Sequence, residues 1–462
     1  ARGAAMLLSG EPVRTLEAYR QRGGLAGFEA AQQLWPDGVV DVLAQSGLRG
    51  RGGAGFPVGL KWRSILAGGP GAGDRFVVAN GAEGEPGTFK DRAILRHNPY
   101  LLVEGLLSAA QTLGASRAFV ALKASFEVEA ERVIAAATEL AAAGIGAGVG
   151  VEIVRGPDEY LFGEEKALLE VIEGEEPLPR LFPPYIYGLF SQSPQMGWSA
   201  GNTLDDADRD GSNPTLVNNV ETLALVPLIL SQGPDWFRST GTDESPGRVT
   251  CTVSGDTVRH GVGKFPMGTP LSTVIDELGG GLPAGRAVKY VLSGVSNPII
   301  RADHLDVPLT YEHVDAIGSG LGTGGFLVFD DRTDPVELAE AVSRFLAVES
   351  CGQCPACKLG TGRITEILAT ETELNEPELP IGEPARRELS ARLSTVTDSS
   401  RCYLPTQEQR LVTSLLPDMA NPALRTPKRG LSITKIVDLD GDRFVLDERQ
   451  RRKRPDWTYE PE

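Results

Sequence analysis

The chain has 462 residues, 41% of them hydrophobic, with 55 glycines, 32 prolines and a formal net charge of −17. At a prior of about 150 residues per domain, this suggests roughly three loop-rich globular domains with ample core. So acidic a surface repels a phosphate backbone, which excludes nucleic acid as the expected partner.

In chain order, residues 14–34 and 37–46 are expected as helices, ending in the loop Ser46–Trp62. "RFVVAN" reads as a strand, and Asn98-Pro99 as an N-cap with proline at the first helical position, opening a helix to about Leu113. "RAFVAL" is the next strand, followed by an Ala/Glu-rich helix to about Ala143. "GVEIVRG" is a third strand and "YLFGEEKALLEVIEG" a helix. This alternation predicts an α/β layout with a mostly parallel sheet. Residues 175–217 form a Pro-, Ser- and Asp-rich loop of a length usually tied to function or mobility. From about Thr250 to Asp330 short β-rich segments and one helix near Leu271–Leu278 suggest a small α+β domain. Beyond Asp334 the chain is helical to about Leu416, and "ITKIVDLDGDRFVLD" in the tail reads as a β-hairpin with a D-G turn.

The opening stretch has no long apolar segment, so no secretory leader is expected. No run approaches the roughly 18 apolar residues of a membrane helix; Leu223–Leu230 is the nearest. Direct membrane insertion is therefore not expected, and any attachment runs through a partner. Three of the five cysteines are too closely spaced for a disulfide framework, which favours a reducing, cytoplasmic setting.

"ESCGQCPACKLGTGR" gives Cys351, Cys354 and Cys357 at C-x₂-C-x₂-C spacing, with Cys402 further on. Three close thiolates can grip three corners of one cube, and a remote fourth closes it, as in a [4Fe–4S] cluster. Structural zinc is the weaker alternative, since it more often takes two separated pairs. Cys251 reads as a small core residue in a strand.

Gly50, Gly52 and Gly55 formally match G-x-G-x-x-G, but a helix precedes them, and Pro57 and Gly59 discourage a helix after them. The usual dinucleotide fingerprint is rejected. A glycine loop flanked by Arg49, Arg51 and Lys61 still suits a phosphate, with an ordinary surface turn as the bland reading. The second glycine loop, "NGAEGEPGTF", carries Glu83 and Glu85, which repel phosphate but can accept hydrogen bonds from sugar hydroxyls.

"SGLRGRGGAGFPVGLKW", "N-x-x-EGEPGTFKDR", "Y-x-x-GEE-x-ALLE-x-IEG", "PRL-x-PP", "NNVETLA" and "SCGQCPAC…C" follow one another over residues 14–416. Together they closely resemble the flavoprotein subunit of respiratory complex I and the diaphorase subunits of NAD-linked formate dehydrogenases and hydrogenases. The resemblance implies N-terminal helices with an FMN-binding Rossmann-like α/β domain (1–240), a ubiquitin-like β-grasp domain (241–332), a helical [4Fe–4S] domain (333–430) and a tail (431–462). It implies that Gly50, Arg51, Gly52 and Lys61 bind the FMN phosphate region. Asn80, Glu83, Tyr160, Gly163, Glu164, Asn218 and Asn219 would line the flavin. Phe56, Glu85 and Glu165 would face the nicotinamide nucleotide, with Tyr185 stacking on adenine. Cys351, Cys354, Cys357 and Cys402 would hold the cluster.

The function so implied is an electron relay: NAD(H) exchanges hydride with FMN, and electrons pass singly through the cluster to or from an iron–sulfur or ferredoxin-like partner subunit. FMN supplies the chemistry and the protein positions it. No general acid or base is required, in keeping with only four histidines, His97, His260, His304 and His313, read as structural or exposed. Tyr185 stands where the family usually has a Phe, and three further positions depart from it. Ala82 stands where an Asp is usual, Phe182 where a Lys is usual, and Ser64 replaces an aromatic. They motivate an alternative in which the same relay exchanges electrons with a ferredoxin or another non-NAD partner. A scaffold with a decayed flavin site is a third reading, opposed by Arg51, Lys61, Glu83 and Asn218–Asn219. The insertion at about 187–213 and the basic run Arg449–Arg454 read as partner contacts or as a tolerated loop and a loose end.

Overall fold

The computed structural model describes residues 7–8, 10–68, 73–191, 212–431 and 433, and strand backbone at 436–440, 443–447, 452–454 and 457–458. Most of the 187–213 insertion, and residues 449–451 of the basic run, lie outside these residues. The chain divides into two compact units, Ala1–Glu83 with Lys90–Thr250 and Pro266–Gly268, and Gly84–Phe89 with Cys251–Phe265 and Thr269–Glu462.

The first unit opens with α1 (Leu16–Gln21), α2 (Ala26–Gln33), α3 (Pro36–Ser46) and α4 (Val58–Leu66). Where one helix is expected over 14–34, the chain breaks at Gly23, whose φ of 88° is open to glycine, and at Leu25, with φ 74°. Leu25 gives α2 no side-chain cap. A buried carboxylate does so instead: Glu104 accepts from Leu25 N at 2.8 Å and Phe28 N at 2.9 Å. The second correction is α4 itself. Pro57 is its N-cap rather than a breaker, and Gly59 lies inside it because a Cβ there would come within 2.7 Å of the Ala44 backbone.

There follow β1 (Phe76–Gly81), α5 (Lys90–His97), α6 (Pro99–Leu113), β2 (Arg117–Lys123), α7 (Glu127–Ala142), β3 (Gly150–Gly156), a 3₁₀ turn at Tyr160–Gly163 and α8 (Glu165–Ile172). After the long loop come β4 (Thr215–Asn219), α9 (Val220–Gln232) and α10 (Pro234–Arg238). Asn98 caps α6, accepting from Leu101 N, with Pro99 at its first position, as the sequence predicts. The sheet is parallel with order β3-β2-β1-β4. Strands are added on one side of β1 and then on the other, so the strand order reverses between β1 and β4. The carboxyl ends flanking such a reversal form a crevice where open α/β sheets bind ligands.

The second unit holds most of β5 (Arg248–Gly255), then β6 (Gly261–Pro266), α11 (Leu271–Val274) with a wider π turn after it, β7 (Val288–Leu292), β8 (Ile300–Arg301), α12 (Tyr311–Ala316) and β9 (Gly325–Asp330). The sheet order β6-β5-β9-β7-β8, with first and last strands parallel neighbours at the centre, is that of a β-grasp. Cys251 is buried in β5 as expected. The helix α12, capped by Thr310, was not foreseen. Helices α13 (Pro335–Glu349), α14 (Pro355–Leu374), α15 (Glu383–Thr395) and α16 (Leu404–Met419) complete the unit. In the tail, β10 (Ile436–Asp440) and β11 (Arg443–Asp447) pair antiparallel as the D-G hairpin predicts, and β12 (Arg452–Arg454) pairs with β13 (Trp457–Thr458). Among the described residues no helix is long and apolar enough to cross a membrane.

Candidate functional site

Asn80 lies near the end of β1, and Asn218 and Asn219 end β4; the register pairs Asn80 with Asn219 and Ala79 with Asn218. The three amides therefore stand together at the crevice. Asn80 Nδ2 donates to the Gly163 carbonyl at 2.8 Å, and Ala82 N donates to Asn80 Oδ1 at 3.2 Å. That ties the 3₁₀ turn to the end of β1, and a Cβ on Gly163 would lie 3.0 Å from the Ala82 carbonyl. Asn218 Oδ1 accepts from Trp62 Nε1 at 2.9 Å, so α4 is fastened to the same strand end.

The first glycine loop reaches this place from the other side. Gly50 N donates to Phe56 O at 2.9 Å and Arg49 bridges to Pro57, closing the loop at its base. Arg51 N donates to Thr222 Oγ1 at 2.8 Å, and a Cβ on Gly52 would meet Asn219 Cβ at 3.3 Å. The loop thus lies against the β4–α9 turn and leads into the N-terminus of α4, a helix end that suits an anion, with Val58 N donating to the Leu48 carbonyl at 2.9 Å. Lys61, in the first turns of α4, pairs with Glu165 at 3.1 Å. Arg51 behaves differently from a free phosphate ligand: its side chain is buried and Nη2 donates to the Arg248 carbonyl at 3.0 Å.

The side chain of Glu83 is also buried. Its carboxylate accepts from Asp91 N at 3.0 Å and Arg92 N at 3.3 Å, capping α5, and pairs with Arg92 Nε at 3.4 Å. Glu164 caps α8, accepting from Lys166 N and Ala167 N at 3.0 Å each. Burial pushes its carboxyl up to about 7 despite the nearby Lys166. Phe56 and Tyr185 are exposed rings. Tyr160 is half-buried and opens the turn that ends at Gly163. The position of Phe182 is aromatic packing, its ring centroid 4.8 Å from that of Tyr187. The neighbouring Arg180 is tied to Glu170 at 2.6 Å and Glu173 at 2.9 Å. Ser64 Oγ donates to the Lys61 carbonyl.

Glu85 belongs with the second unit. Its Oε1 accepts from Val295 N, Gly87 O accepts from Thr252 Oγ1 at 3.1 Å, and the Thr88 and Thr323 hydroxyls meet at 3.0 Å. Sequence reasoning grouped Glu83 and Glu85 in one loop; their hydrogen-bond partners differ. It also missed Lys90, Asp91 and Glu221, although "FKDR" and "NNVETLA" contain them: a lysine or aspartate in sequence carries no mark of burial.

In the second unit, Cys351 and Cys354 precede α14, Cys354 is its N-cap, and Cys357 is buried in its first turn. Arg401 N donates to Cys354 Sγ at 3.4 Å, which brings the residue before Cys402 to the same place. Among the described residues no three cysteine, histidine or acidic side chains are drawn to metal-binding positions. The donor set nonetheless fits an iron–sulfur cluster. The Cys357 thiol is pushed up to about 11 by burial, with the Ser350 hydroxyl at 3.3 Å opposing and Cys354 and Cys351 adding to the rise. Thiolates that repel one another in a buried spot are stabilised together by a cationic core, and binding releases their protons.

The crevice with its anion-suited glycine loop, and the separate four-thiol set, define a flavin- and iron–sulfur-binding redox protein. Residues 43–228 match the family described as Nuo51 FMN-binding domain, and residues 337–421 that described as NADH-ubiquinone oxidoreductase-F iron-sulfur binding region. The chain is 39% identical to the F 2 subunit of NADH-quinone oxidoreductase from Rhizobium meliloti (strain 1021), covering 76% of this chain and 81% of the relative. It is 38% identical to the corresponding F-type NADH-quinone oxidoreductase protein of Streptomyces coelicolor (strain ATCC BAA-471 / A3(2) / M145), covering 77% and 76%. A solved NAD+-reducing [NiFe]-hydrogenase in the H2-reduced state superposes with a TM-score of 0.74 at 30% identity, covering 91% of this chain and 69% of that one. The chain belongs to the F-type flavoprotein family of NADH-quinone oxidoreductases.

Proposed function

We propose that this chain is the flavoprotein subunit of a multi-subunit oxidoreductase. It passes electrons between NAD(H), FMN and one [4Fe–4S] cluster, to or from an iron–sulfur partner subunit. The reading rests above all on the meeting of Asn80, Asn218, Asn219 and the Gly50–Gly55 loop at the sheet's strand-order reversal. There the loop and Lys61 would hold the FMN phosphate, and the three amides, Glu83, Tyr160, Gly163 and Glu164 would orient the ring. Bound FMN supplies the change from two-electron to one-electron transfer. Phe56, Tyr185, Glu85 and Glu165 would meet the nicotinamide nucleotide. Cys351, Cys354, Cys357 and Cys402 would hold the cluster. The domain limits that accompany this reading are 1–240, 241–332, 333–430 and 431–462, and the setting is cytoplasmic, with membrane attachment only through partners.

Reconstituted protein titrated anaerobically with NADH should lose its flavin absorbance stoichiometrically. A second reading replaces NAD(H) with a reduced ferredoxin. It is favoured by the buried Ala82 and by Phe182 packed on Tyr187, where the family resemblance leads one to expect a carboxylate and a cation. Bleaching by reduced ferredoxin but not by NADH would select it.

A further inference from the structure

The flavin contacts proposed above leave Lys90 unused. It opens α5 and is wholly buried. An ammonium removed from water is strongly disfavoured unless its donors are matched. Here Nζ lies 2.8 Å from Asp91 Oδ1, 3.1 Å from Glu221 Oε2 and 3.2 Å from Asn219 Oδ1. Asn219 Nδ2 in turn donates to Asp91 Oδ2 at 2.6 Å. Lysine, aspartate and asparagine thus close a ring of hydrogen bonds. Asn219 Oδ1 also accepts from Glu221 N at 3.0 Å, so the amide has one favoured orientation. On the far side, the backbone N–H of Asp91 holds Glu83 at 3.0 Å. A single cation therefore joins three elements: the end of β4 with the start of α9, the N-terminus of α5, and the turn after β1.

We propose that Lys90 is a positioning residue of the flavin site: its buried ammonium locks Asn219 and, through Asp91, the α5 N-terminus that seats Glu83, into one arrangement. This rests on the flavin reading of the crevice. Lys90 has no exposed surface through which to touch a ligand, so it acts through its neighbours.

Lys90→Met alone strands two buried carboxylates and invites misfolding. The decisive variant is Lys90→Met combined with Glu221→Gln, which restores charge balance, with Lys90→Arg as the conservative arm. FMN-free full-length protein is titrated with FMN by fluorescence quenching, and unfolding is followed by circular dichroism. The double variant should keep the wild-type dichroism and show an FMN dissociation constant raised by about tenfold or more. Lys90→Arg should recover most of that loss, and the bound flavin's absorption bands should shift in the double variant only. A folded double variant that binds FMN as wild type does overturns the proposal. So does a double variant that cannot fold, which would assign Lys90 to stability alone. Failure of the wild-type chain to bind FMN would instead sink the flavin reading itself.

Discussion

At the scale of single residues, buried carboxylates shape the first unit. Glu104 takes the Tyr19 hydroxyl at 2.5 Å together with the two N–H groups that open α2. Burial raises its pKa while those three donors oppose the rise. Glu104→Ala leaves three buried donors unmatched and should cost about 3–5 kcal/mol in urea denaturation. Glu104→Gln keeps one acceptor and should cost less, about 1–2 kcal/mol. Equal losses for both variants would show that the cap does not matter. Nothing in the sequence marked Glu104, because it lies in an apolar helical stretch and its partners are about 80 residues away. The same holds for Lys90. Glycine loops and cysteine spacing, by contrast, are local patterns, and those were legible.

At the scale of elements, α9 shows how a helix interruption serves packing. Pro227 has no N–H, so the Leu223 carbonyl four residues earlier loses its helical partner. That carbonyl faces Gly105 of α6, where an added Cβ would lie only 2.0 Å away. A Cβ added to Gly27 of α2 would lie 2.3 Å from the Pro227 carbonyl oxygen. Two glycines on two helices thus allow close approach to one interrupted turn. Gly105→Ala should destabilise by about 1–3 kcal/mol through overpacking, despite alanine's better helix propensity. A thermal midpoint unchanged or raised in that variant would contradict the close contact. The α4 correction belongs at this scale too. Pro57 and Gly59 read as helix breakers by propensity, but proline fits an N-terminus and the glycine is needed where α3 and α4 touch.

At the scale of the whole molecule, net charge and buried acids set the pH response. Glu408 in α16 accepts from Ser343 Oγ at 2.6 Å and is pushed from 4.5 up to about 8 by burial. Asp91 is raised by burial against the pull of Lys90, and Glu164 rises to about 7. For each, the folded state binds the proton more tightly than the unfolded state. Their contribution to stability is complete below the unfolded values and is lost as pH climbs through 7 to 8. The thermal midpoint should therefore fall between about pH 5 and pH 8. A net charge already at −17 adds repulsion in the same direction. Glu408→Gln should flatten that fall, as measured by differential scanning fluorimetry across the range. A wild-type slope of the opposite sign would refute the assignment of these groups.

The sequence by itself determined the βα alternation of the parallel sheet, the small β-rich domain and the helical cysteine region, each written in periodicity, turn residues or spacing between near neighbours, while the resemblance of its motifs pointed to the family and the β-grasp. Only the tertiary structure decided which side chains share the crevice. It paired Asn80 with Asn219 across the strand-order reversal, turned Arg51 toward the Arg248 carbonyl, and drew Lys90 into a buried ring with Asp91 and Asn219. The reason is physical: local preference is fixed by neighbours in the chain, whereas burial and hydrogen-bond partnership depend on residues more than a hundred positions away, brought together only by the packed fold.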